Sequence, residues 1–76
     1  MQKERMCEIK RICYDFLKHL TDDSDTTEFI NWTATLTGNE LRFCQGVFKL
    51  YEDYLQGRVS EDESKSLYDN FVKNFM

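Results

Sequence analysis

Three cysteines, one histidine and fourteen carboxylates are the side chains of this sequence that could bind a metal, attack a substrate or move a proton. Zinc takes thiolate and imidazole ligands at short spacings such as CxxC and HxxxH, and neither occurs in the chain. Cys7 and Cys13 are six residues apart, which puts them about 240° apart around a helix. The sequence predicts no metal site and no cofactor. Cys13 and Cys44 instead fall on apolar stripes at helical spacing, where a thiol behaves as a small hydrophobe, while Cys7 falls outside the stripe and is expected at the surface.

Acid–base or nucleophilic catalysis finds equally little. His19 stands between Lys18 and Leu20, which supply neither a nucleophile nor an orienting acid. Near a helix end it suits the negative pole of the helix dipole. Adjacent acids occur at Glu52-Asp53 and Glu61-Asp62-Glu63, but acids at a helix start ordinarily serve as caps and solvated charge. The expectation is a protein that is not an enzyme.

Charge narrows the partners. A net charge of −4 opposes nonspecific attraction to nucleic acid and to anionic membranes. The central helix has only Arg42 and Lys49 to offer a major groove, beside Glu40, Glu52 and Asp53, so direct nucleic-acid binding is not expected. The acids Asp22, Asp23, Asp25 and Glu28, with Trp32 close behind, are the candidate surface for a basic protein partner. No apolar run approaches the roughly 20 residues of a membrane span. The start MQKERMCEIKR is too charged for a signal peptide, and an odd number of cysteines suits a reducing compartment, so a cytoplasmic location is expected.

The elements that position these residues are read from apolar spacing. In Asn39–Gln56, Leu41, Cys44, Phe48, Tyr51 and Leu55 form one stripe of a helix, and Phe43, Val47, Leu50 and Tyr54 form a second beside it. A helix with two apolar faces must be covered from two sides. Gln2–Leu20 reads as an amphipathic helix through Met6, Ile9, Cys13, Phe16 and Leu20, widened by Ile12 and Leu17, with an Arg11–Asp15 ion pair on its other face. Thr21–Glu28 is a polar loop, in which Asp25 and Glu28 have the spacing of a capping box. Phe29–Thr37 fits either period, and a short helix is preferred because a lone strand would leave its backbone groups unpaired.

Thr37 and Glu40 have capping-box spacing before the central helix, Gly57 is placed to end it, and Gly46 within it would allow another helix close approach. Ser60 and Glu63 form a further capping box, after which Leu67, Tyr68, Phe71, Val72 and Phe75 make a last amphipathic helix, antiparallel to the one before it. The prediction is one all-α domain over residues 1–76, a bundle of three to four helices around a central hydrophobic one. The first and last helices are expected to cover the first stripe. The segment around Trp32 is too short to cover the second, so Phe43, Val47, Leu50 and Tyr54 are expected to meet a second copy of the chain in a homodimer.

With 76 residues, of which 41% are apolar and 14% aromatic, the chain can fold but has room for one core only. Size, acidity and missing chemistry together suggest a protein-binding regulator or inhibitor, of which a phage- or mobile-element-encoded inhibitor of a host or defence protein is an instance. The alternative is an oligomeric binder of a small, nucleotide-like molecule, with Trp32, Tyr51 and Tyr54 as stacking surfaces.

Overall fold

The computed structural model describes residues 1–76 and contains four helices: α1 (Lys3–Lys18), α2 (Thr27–Thr33), α3 (Gly38–Leu55) and α4 (Glu61–Val72). The preference for a helix holds over the first part of the ambiguous segment, where α2 forms over Thr27–Thr33, while residues 34–37 lie outside it. Phe29, Trp32 and Thr33 are half-buried and Leu36 is buried, whereas Ile30 points outward at 58% exposure, as a helical period requires.

The helix ends are marked partly as expected. Ser60 Oγ accepts from the Glu63 amide at 3.1 Å. At the end of α3, Gly57 takes φ +77°, the Arg58 amide bonds to the Asp53 carbonyl at 2.9 Å, and the Gly57 amide bonds to the Tyr54 carbonyl at 3.1 Å. These are the two bonds of a Schellman motif. Two expected capping boxes differ. The Asp25 carboxylate accepts from the Thr27 amide at 2.9 Å, one residue short of Glu28. Thr37 makes no side-chain cap, the Glu40 amide bonding instead to the Thr37 carbonyl at 3.2 Å, and the Glu40 carboxylate is drawn across to Arg5 Nε on α1 at 2.7 Å. The expected Arg11–Asp15 ion pair does not form; on the same helix Arg5 pairs with Glu8 at 3.1 Å.

Both faces of α3 are covered within the chain. On the first stripe, Cys44 meets Cys13 of α1, Tyr51 meets Tyr14 with ring centroids 5.1 Å apart, and Phe48 meets Phe29 of α2 at 5.8 Å. On the second, Phe43 packs against Phe71 at 5.7 Å and Phe75 at 5.3 Å, and Gly46 lies against the Phe71 ring. The expected division of labour is therefore corrected: α1 with α2 covers the first stripe, which frees α4 to cover the second. Phe43 and Val47 have zero exposure in the single chain, so neither is surface available to a second copy. Leu50 and Tyr54 are half-buried.

The result is a slab of 35 × 30 × 16 Å whose core is Met6, Ile9, Cys13, Leu36, Phe43, Cys44 and Val47. The slab is one or two helices thick, so most of its aromatics are only partly covered. No helix is long and apolar enough to cross a membrane.

Candidate functional site

Helix direction decides which loops meet. Arg5 with Glu40, Cys13 with Cys44 and Tyr14 with Tyr51 advance together along α1 and α3, so the two helices run parallel. Along α4 the order reverses: Phe43 meets Phe75, Gly46 meets Phe71, and Lys10 lies 4.3 Å from the Tyr68 ring. The amino terminus closes the opposite end by donating to the Phe75 carbonyl at 2.7 Å. The C-termini of α1 and α3 and the N-terminus of α4 thus share one end of the slab, with α2 and its connections carrying the chain back to the other.

That end is acidic. Residues 18–28 and 49–65 hold nine acids against four bases, a net of −5, and the remaining residues hold five acids against six bases, a net of +1. Two clusters far apart in sequence, Asp22 to Glu28 and Glu61 to Glu63, are placed toward the same end by the parallel pairing of α1 and α3. Their members differ in availability. The Asp25 carboxylate is held below its usual range by hydrogen bonds from the Thr27 hydroxyl and amide. Asp53 is likewise lowered, by Arg58 Nη1 at 2.7 Å and Lys49 Nζ at 3.2 Å. Asp22, Asp23 and Glu28 are exposed and make no ion pair.

The same end holds an apolar groove of about 270 Å³, lined by Leu17, Leu20, Phe48, Glu52, Leu55 and Gln56. Leu20 and Leu55 keep 43% and 40% of their surface exposed. Each is the last apolar residue of its stripe: Leu20 follows the end of α1, and Leu55 is the last residue of α3. The sequence did carry that signal: both stripes run to the final turn, directly beside polar loops. His19 caps α1, its ring Nδ1 donating to the Asp15 carbonyl at 2.9 Å, and faces no partner for catalysis. Trp32, grouped with the acids by sequence proximity, is not brought to this surface; it is half-buried against Phe29 at 5.7 Å and packs on the core.

A second concavity, of about 310 Å³, lies between α1, α3 and α4 and is lined by Lys10, Tyr51, Ser64, Lys65, Tyr68 and Asp69. Burial, followed by the nearby Tyr68 and Tyr14, pushes Tyr51 up to about 12, and burial raises Tyr68 as well. Both phenols are therefore neutral donors at neutral pH. Asp69 opposes the two ammonium groups on the rim. Of the three aromatics expected to stack on a ligand, only Tyr51 reaches this cleft. Lys10, Ser64 and Lys65 were not singled out in the sequence, because they lie on two helices whose register only the fold supplies.

A scan of protein-family models, a search of curated proteins and a search of solved structures each return no match.

Proposed function

We propose that this domain acts without catalysis, as a regulator or inhibitor that holds a basic amphipathic segment of another protein at its acidic end. The observation that supports the reading is the juxtaposition just described: Leu20 and Leu55, exposed beside half-buried Leu17 and Phe48, lie at the acidic end of the slab, where Asp22, Asp23 and Glu28 are exposed and make no ion pair. An apolar centre surrounded by charge is how binding surfaces divide their work. Apolar anchors supply affinity once water is excluded, and the charged rim speeds encounter and rejects partners of the same sign. A segment with apolar residues on one side and lysine or arginine beside them satisfies both parts. Asp22 and Asp23 are the carboxylates with most to give, since Asp25 and Asp53 already serve local structure.

The test is affinity capture from the native host at low and raised salt, with wild type, Asp22→Asn/Asp23→Asn and Leu55→Glu compared side by side. The reading expects one specific protein that is released by salt, captured more slowly by the Asn variant and lost with Leu55→Glu. A protein bound equally by all three would place the contact elsewhere and refute it. A second reading, an anionic small molecule in the Lys10–Lys65 cleft, draws on the two ammonium groups and the Tyr51, Ser64 and Tyr68 hydroxyls there. Co-purification of a phosphate-bearing molecule, lost with Lys10→Ala, would favour it.

A further inference from the structure

The two buried thiols are used by nothing described so far. Cys13 Sγ on α1 and Cys44 Sγ on α3 lie 3.6 Å apart, with exposures of 0% and 3%. They are not equivalent. Cys13 is sealed between the helices, whereas Cys44 forms part of the lining of an apolar groove of about 320 Å³ between α2 and α3, with Phe29, Thr33, Leu41, Gln45 and Phe48. We propose that Cys13 and Cys44 are a thiol pair that a small hydroperoxide, admitted through this groove, converts to a disulfide tying α1 to α3.

The roles follow from position. The thiolate, not the thiol, is the nucleophile, and charge is less costly on the sulfur that borders the groove than on the sealed one. A Cys13 S–H donating to Cys44 Sγ favours the same assignment: it lowers Cys44 from its ordinary value, while that bond and burial raise Cys13. The Cys44 thiolate attacks one peroxide oxygen, the O–O bond breaks, and the departing hydroxide takes a proton to become water. Cys44 is then a sulfenic acid. Cys13 sulfur gives up its proton and attacks the Cys44 sulfur, the S–S bond forms, and a second hydroxide leaves as water. Two thiols and one hydrogen peroxide give one disulfide and two waters, with two electrons passing from sulfur to oxygen. The sulfurs must close from 3.6 Å to the roughly 2.05 Å of a disulfide bond, a movement on the scale of side-chain rotation. Exposed Cys7 faces neither of them.

Trypsin separates the three cysteines into different peptides: Met6–Lys10 with Cys7, Ile12–Lys18 with Cys13, and Phe43–Lys49 with Cys44. Reduced, folded protein is treated with a small excess of hydrogen peroxide, alkylated after denaturation, and digested. The expected result is Ile12–Lys18 linked to Phe43–Lys49, Cys7 outside that link, and a thermal midpoint that rises and returns with dithiothreitol. Cys13→Ala should stall Cys44 as a sulfenic acid trapped by dimedone, and Cys44→Ala should leave Cys13 unreacted. Circular dichroism confirms that each variant folds; should either unfold, the wild-type peptide map decides by itself. Oxidation confined to Cys7, with Cys13 and Cys44 both fully alkylated, overturns the proposal. So does conversion of Cys44 to the sulfinic acid without any linked peptide.

Discussion

Substitution of Gly46 by alanine sets two physical effects against each other with opposite signs. Helix propensity alone favours alanine, by about 1 kcal/mol in the middle of a helix such as α3. Packing disfavours it: a Cβ at this position would stand 2.1 Å from Phe71 Cζ and under 3.0 Å from both neighbouring ring atoms, where ordinary contact begins near 3.4 Å. The ring cannot simply turn away. It is stacked on Phe43 at 5.7 Å and leans on Phe75 at 5.0 Å, so relief requires moving α4 off the second stripe of α3. Overpacking costs about 1–3 kcal/mol, and an overlap this deep belongs at the upper end. Setting about 3 kcal/mol against the gain of about 1 leaves a net loss of about 2 kcal/mol. For a domain of this size that is a fall in thermal midpoint of about 8–16 °C. Urea unfolding followed by far-ultraviolet circular dichroism measures it. The double variant with Phe71→Leu, which removes the opposing ring, should lose less than the two single losses added together. A Gly46→Ala protein as stable as wild type, or a strictly additive double variant, would refute the reasoning and with it the close seating of α4.

Two further outcomes are expected. Ser60→Ala removes the acceptor of the Glu63 amide bond at the start of α4 and should cost about 0.5–2 kcal/mol in urea unfolding, an effect that Ser60→Asp should spare. Burial holds the Tyr51 phenol neutral to about pH 12, while in the unfolded chain it ionises near 10. Its contribution to stability is therefore complete below about pH 10 and declines from there toward 12, so the urea midpoint should fall across that range and fall less in Tyr51→Phe. Phenolate absorbance should show that the late-titrating tyrosines of the wild type, Tyr51 and Tyr68, are reduced by one in the variant.

Local chemistry was the most legible part of this protein. The apolar period marked α1, α3 and α4 and left only α2 ambiguous, Ser60 capped the last helix as its spacing to Glu63 implied, and Gly57 closed α3 in the left-handed conformation. Cys13 and Cys44 were assigned to the interior because both lie on apolar stripes, and both are buried. Where a side chain had a choice of partner, the sequence misled. Glu40 had the right spacing to return to the start of its own helix, yet a guanidinium 35 residues earlier in the chain holds it, since a charged partner outbids a neutral amide.

The sequence by itself determined that α3 carries two apolar faces and must be covered twice, because side-chain periodicity is a property of each helix alone. It could not say what covers them. A stripe records that a surface must leave water and holds no record of its partner, so Phe43 and Val47 were expected to meet a second chain, whereas α4 covers them. Only the tertiary structure decided, by running α3 parallel to α1 and folding α4 back across it. The same choice of direction set Leu20 beside Leu55, gathered acids from separate loops at one end, and placed Cys13 within reach of Cys44. Proximity between residues far apart in sequence depends on the relative direction and register of packed helices, which the summed burial of the whole chain selects and no single segment encodes.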